Sequence, residues 1–266
     1  MFMDWMANTA ALLINDWFYL TIIALVFWTI DKNIGFNLLV IFSISVYING
    51  FLQFTIPSAE TSELSSGSFE FIFPPKEVQL ASAFWGFLIP EISDRRYTAL
   101  ACSIIFFTSF VSLLYGERSI QDIIVAILLG IFVVYIVYRS MDWIGSVPEP
   151  IIFSFSLVLP SSLLLLFPEG AHYAGLLLGG GVGYSFELIK NRMIFSKHLW
   201  KKAAAAATGL VGLLLIVYLE SLLSQTTLLQ FLHTAFIGLW ITLLLPMLSI
   251  KLGLHEQAGS IRNNNL

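Results

Sequence analysis

The sequence predicts an all-α, polytopic integral membrane protein, a bundle of about nine spans, on three observations. Hydrophobic residues make up 58% of the 266-residue chain and charged residues 11%, against roughly 45–50% and about 25% in ordinary soluble domains. The apolar residues gather into uncharged runs, most of them near the roughly 17–25 residues that cross a hydrocarbon core. Between them lie charged or Pro/Gly-rich breaks, the long one over Pro57–Glu77 rich in Ser and Glu, and no polar stretch is long enough to fold alone.

The elements follow in order. Met1 to Asn15 lacks a basic start and a small-residue cleavage site; Phe2, Trp5, Met6, Leu12, Leu13 and Ile14 predict an interfacial segment over 1–15 instead. The uncharged runs then centre on Trp17–Ile30, Phe36–Phe54, Val78–Pro90, Tyr97–Tyr115, Ile123–Tyr138, Ile151–Phe167, Ala171–Phe186, Ala203–Leu219 and Thr227–Ile250. The first and third are short and must draw polar flanks into their end turns or thin the bilayer locally. Pro160 and Pro246 lie within spans and should kink them, and Pro168-Glu169-Gly170 reads as a tight turn. The C-terminal tail is expected over 253–266.

Nine spans place alternate loops on opposite sides, and the basic residues sort accordingly. Lys32, Arg95, Arg96, Arg139, Lys190, Arg192, Lys197, Lys201, Lys202, Lys251 and Arg262 share one side, 11 of the 13 Lys and Arg, leaving Lys76 and Arg118 on the other. The positive-inside rule makes the first side cytoplasmic. The opposite, outer or lumenal face carries Glu60, Glu63, Glu70, Glu77, Glu117 and Asp122 and is acidic. Net charge is −4, without the gathered basic excess of a nucleic-acid binder. The single cysteine, Cys102, allows no intrachain disulfide and reads as a packing residue.

The two outward loops hold the candidate chemistry. One reads Phe73-Pro74-Pro75-Lys76-Glu77-Val78-Gln79; the other reads Ser112-Leu113-Leu114-Tyr115-Gly116-Glu117-Arg118-Ser119-Ile120-Gln121-Asp122 and leads to Leu128-Leu129-Gly130. Upstream stands Phe27-Trp28-Thr29-Ile30-Asp31-Lys32-Asn33-Ile34-Gly35, followed by a helix reaching Asn49. On these residues, over roughly Trp17 to Gly130, the chain resembles the type 2 phosphatidic acid phosphatase superfamily, membrane lipid phosphatases related to vanadium haloperoxidases. The resemblance implies a phosphatase-like membrane core over 16–140, extended by further helices over 141–252, with membrane lipids and lipid phosphates as partners and no cofactor or metal.

It also implies a chemistry that this sequence alters. In the family one His attacks phosphorus, an Asp orients it, a second His protonates the leaving alkoxide, and one Lys and two Arg hold the phosphate oxygens. By motif position the nucleophile falls on Arg118, its orienting partner on Asp122, and the leaving-group acid on Glu77, with Pro75 and Lys76 replacing the Ser and Gly beside it. The cations fall on Asn49, Ile56 and, if Ser112 is the motif serine and one residue is missing after Tyr115, on Leu113. A guanidinium stays protonated below a pKa of about 12 and cannot attack phosphorus. Leu113 and Ile56 donate nothing to a phosphate oxygen, and extra carboxylates repel a phosphate dianion.

The resemblance therefore implies a catalytically altered protein that binds or senses a lipid phosphate, or serves as a structural partner in lipid handling. Lys76, Glu77, Ser112, Glu117, Arg118 and Asp122 are the candidate ligand-binding residues. Three local arrangements stay open: Arg118, with Asp122, Glu117 and Lys76, holding a headgroup; Glu77, Glu117 and Asp122 holding a cation or amine; and an Arg118–Asp122 pair that only ties loop to helix. Two other functions compete, an active phosphatidate or polyprenyl phosphate phosphatase with a rearranged site, and a lipid or solute transporter.

Beyond Gly130 the sequence speaks of packing. Gly175, Gly179 and Gly183 repeat every fourth residue and form a stripe for close helix contact, with Glu187 continuing it beside Lys190 and Arg192, its expected partners. His172 and His233 read as hydrogen-bonded packing residues. The cluster from Lys190 to Lys202 is expected to meet headgroups on the cytoplasmic leaflet.

Overall fold

The computed structural model describes residues 15–56, 74–115, 119–144, 149–220 and 226–258. Within them the chain is an all-α membrane bundle: α1 (Asp16–Thr29), α2 (Lys32–Thr55), α3 (Lys76–Ile92), α4 (Arg95–Tyr115), α5 (Ile120–Ile144), α6 (Glu149–Leu166), α7 (Ala171–Phe186), α8 (Leu199–Glu220), and α9 (Thr227–Leu239), which runs on through a π-turn, Trp240–Leu244, into α10 (Leu245–Lys251). Five stretches are long and apolar enough to cross a membrane: Lys32–Thr55, Arg95–Leu114, Ile120–Met141, Leu199–Glu220 and Thr227–Lys251. The helices α1 and α6 are apolar but shorter. One antiparallel pair, β1 (Met193–Ile194) with β2 (Glu256–Gln257), matches Met193 to Gln257 and Ile194 to Glu256. The expected interfacial segment falls almost wholly outside the described residues, as does the stretch 57–73.

The described residues form two compact units, 15–20 with 40–144 and 21–39 with 149–258. In the first, α3 is the most enclosed helix, buried continuously from Val78 to Phe84 and again at Phe87 and Leu88. Tyr19 packs edge-on against Phe84 at 4.9 Å and stacks on Phe42 at 6.1 Å. On α5, Gly130 permits the approach to α3: a Cβ there would meet the Ser82 hydroxyl and lie 2.7 Å from the Gln79 carbonyl. Cys102 departs from the expectation of packing. It is exposed on α4 and lines a shallow apolar groove with Ser103, Phe106, Phe107 and Phe110. An apolar run does not separate inside from outside when the outside is lipid.

In the second unit the glycine stripe of α7 lies against α9. A Cβ on Gly175 would collide with the carbonyl of Phe231, one on Gly179 with that of Ala235, and one on Gly183 with the Thr242 hydroxyl. Pro246 acts through hydrogen bonding. It has no N–H to give the Thr242 carbonyl, and one residue before it the Leu245 N–H reaches Trp240 O, one residue beyond the α-helical partner. That shift frees Ile241 O, which accepts from Trp28 Nε1 at 2.8 Å. A second π-turn, Glu187–Asn191, ends α7 and closes through the Arg192 N–H to Glu187 O at 2.7 Å, with Arg192 left-handed at φ 45°.

Candidate functional site

The residues matched to the phosphatase motifs lie at the ends of α2 to α5 in the first unit. Lys76 opens α3, and its Nζ lies 2.7 Å from Asp16 Oδ1 and 2.9 Å from Oδ2, at the start of α1. Glu77, the next residue, accepts at Oε1 from Ser112 Oγ at 2.9 Å, tying α3 to α4. The motif thus brings Glu77 and Ser112 together. It engages Lys76 with a residue, Asp16, that sequence reasoning did not single out.

Asp122 has a different partner. Its Oδ2 accepts from the Ser119 N–H at 2.9 Å while Ser119 Oγ accepts from the Asp122 N–H at 3.1 Å. This reciprocal pair is a capping box, which satisfies two of the orphan N–H groups at the start of α5. The Ser-x-x-Asp spacing was readable in the sequence. Glu117 and Arg118, and with them all three arrangements built on those residues, lie outside the described residues.

A closed neutral network occupies the place of the first motif's cation. The Asn49 carboxamide donates to Pro74 O at 2.9 Å and to Gln79 Oε1 at 2.9 Å, and accepts at Oδ1 from Gln53 Nε2 at 2.6 Å. Gln53 Nε2 also reaches Pro74 O at 3.1 Å, and Gln79 Nε2 donates to the carbonyl and hydroxyl oxygens of Ser45 at 2.9 and 3.3 Å. Asn49, Gln79 and Ser45 are buried. Inside a low-dielectric bundle such groups must be paired, and here both Asn49 donors are taken by the protein. The signal was available: Ser45, Asn49 and Gln53 recur every fourth residue on α2, and Gln79 interrupts an apolar run.

Among the described residues no three His, Cys, Asp or Glu side chains gather as a metal site. In the second unit, buried Glu187 is paired, but with Lys32 rather than Lys190 or Arg192. Lys32 Nζ lies 3.1 Å from Oε1, which also accepts the Met193 N–H at 2.8 Å. His233 is a packing residue whose Nε2 lies 2.9 Å from Ile216 O.

Comparison with known families adds one observation from another part of the chain. Residues 171–258 match the model described as PAP2 superfamily phosphatase, transmembrane extension. The match spans about a third of the chain and shows that this stretch is similar to that superfamily's transmembrane extension. It covers α7 to β2 and does not overlap the 17–130 stretch that carries the motif resemblance, so two separate parts of the chain point to one superfamily. No curated protein and no solved structure matches the chain.

Proposed function

We propose that this PAP2-related membrane protein is catalytically altered and serves lipid handling as a structural partner, without hydrolysing phosphate esters. The phosphatase-like portion would be residues 16–140, facing the outer or lumenal side, with the basic loops in the cytoplasm. One observation carries the reading: the polar residues placed at motif positions are engaged within the protein, and the other two cation positions hold Ile56 and Leu113, which offer a phosphate no donor. Lys76 is held by Asp16, Glu77 by Ser112, Asp122 by the α5 cap and Asn49 by Gln79 and Pro74. A phosphate arriving there would compete with every one of these contacts. The competing enzyme reading requires them to open.

Purified protein incubated with phosphatidate and polyprenyl phosphates tests the proposal. The expected result is no protein-dependent inorganic phosphate. Release by the wild type that disappears in Glu77→Gln would overturn it. Saturable binding of phosphatidate lost in Lys76→Gln would move the reading from structural partner to lipid-phosphate binding.

A further inference from the structure

We infer that the end of the second unit formed by the α7 π-turn, β1 and the start of α8 is a docking surface for anionic phospholipid headgroups. This inference does not rest on the proposed function, since it uses none of the motif residues. Lys190, Arg192, Lys197, Lys201 and Lys202 fall between residues 190 and 202, and the fold fixes several of them. Lys201 Nζ donates to Gly253 O at 3.0 Å, and Lys202 Nζ donates to Thr29 O at 2.9 Å and lies 5.6 Å over the Phe195 ring. Lys190 lies 5.8 Å over the Phe186 ring.

The neighbouring carboxylates do not neutralise this cluster. Glu187 is fully buried and taken by Lys32. Asp31 caps α2 through the Asn33 and Ile34 N–H groups but keeps its charge, so it and exposed Glu256 set two carboxylates against the five cations. Large apolar side chains stand among the cations: Leu199 is 82% exposed, Trp200 65% and Leu252 58%. In water that combination leaves apolar surface uncovered. At the headgroup level both are satisfied, the indole and leucines at the acyl boundary and the cations at phosphate oxygens.

The position fits. The membrane-length stretch Leu199–Glu220 begins at these residues and Thr227–Lys251 ends beside them in sequence at Leu252. A cluster at the edge of a bilayer meets lipid before it meets a soluble polyanion, and its unneutralised charge selects a net-negative headgroup over a zwitterionic one.

The test uses the full chain in detergent micelles, titrated with phosphatidylglycerol or with phosphatidylcholine of the same chains. Phosphatidylglycerol is expected to bind more tightly, with a preference that shrinks as salt is raised. At about fivefold per cation, the variant Lys190→Gln/Lys197→Gln/Lys201→Gln should lose on the order of a hundredfold in phosphatidylglycerol affinity and little in phosphatidylcholine affinity. A matched triple in the other unit, Arg95→Gln/Arg96→Gln/Arg139→Gln, should lose far less. Equal wild-type affinity for the two lipids at low salt, or equal losses in the two triples, would overturn the inference. So would displacement of the lipid by soluble glycerol phosphate at equal concentration. Equal wild-type affinity for the two lipids would overturn the inference even if a variant fails to fold.

Discussion

The two units solve the problem of polar groups inside an apolar bundle in opposite ways. The first uses neutral carboxamides: Asn49, Gln53 and Gln79 exchange hydrogen bonds among themselves and with Pro74 and Ser45. The second buries a charge, Glu187, and answers it with Lys32 and a backbone N–H. Removing one member of a neutral network strands a dipole, whereas removing one member of a buried ion pair strands a charge. The second unit should therefore be the more fragile to single substitutions at its polar core.

Lys32→Met breaks that balance most. It leaves the Glu187 carboxylate buried with only the Met193 N–H, and a loss of about 3–5 kcal/mol is expected, read as a fall in unfolding midpoint in detergent. The double variant Lys32→Met/Glu187→Leu should recover most of it. If the double is no more stable than the single, the cost lies in packing and the contrast between the units fails. Next comes Gly179→Val, which drives a branched side chain into the Ala235 carbonyl and should cost at least the 1–3 kcal/mol typical of overpacking. The counterpart Gly86→Ala has nothing within 4 Å of the added Cβ and should be neutral or stabilising by about 0.5–1 kcal/mol.

These pairs also mark what the sequence made legible. Helix order and approximate limits followed from the apolar runs, although only five of the nine expected spans are long and apolar enough to cross a membrane among the described residues. Three helices begin two to four residues earlier than the apolar windows, at Lys32, Lys76 and Arg95, because a helix end tolerates charged residues that a hydropathy window excludes. The spacing of Gly175, Gly179 and Gly183 was enough to predict close packing, although only the structure names α9 as the neighbour. The pairing of Lys32 with Glu187 was not legible: they stand 155 residues apart, and Lys190 and Arg192 were nearer in sequence. The motif positions were readable one by one, but their partners were not: Asp16, which holds Lys76, lies outside the quoted stretches, and Gln79, which holds Asn49, stands in one of them with no role assigned to it. Cys102 shows the remaining gap, since lipid on the outside removes the polar face that would reveal a helix's orientation.

Two substitutions in the first unit probe the neutral network and the cap. Gln79→Ala strands one donor on buried Asn49 and should cost about 1–3 kcal/mol. Replacing both partners, in Asn49→Leu/Gln79→Leu, should cost less than the sum of the two single replacements, as a double-mutant cycle would show. Asp122→Ala removes half of the α5 capping box and should cost about 1 kcal/mol. Asp122→Asn should retain much of the cap, because a carboxamide oxygen still accepts from the Ser119 N–H. If Asp122→Asn instead falls as far as Asp122→Ala, the carboxylate charge matters beyond the cap.

The smallest expected effect separates the units by pH. All four histidines, His172, His198, His233 and His255, belong to the second unit's stretch of chain, so the first has no side chain that ordinarily titrates between pH 5 and 7. His255, beyond the end of α10, is buried, and burial holds its imidazole below the ordinary 6.5. The contact with the Trp28 backbone opposes that shift, while Lys202 and Lys201 push the same way. Its Nδ1 accepts the Ser196 N–H at 3.4 Å, and a protonated Nδ1 would set two donors face to face. The unfolded chain then binds this proton more readily than the folded one, so stability is complete above about pH 6.5 and declines as pH falls through the lower folded value. Unfolding midpoints measured from pH 8 to pH 5 should drop at the acid end for the wild type and drop less for His255→Gln. An equal drop in both would assign the acid sensitivity to another group.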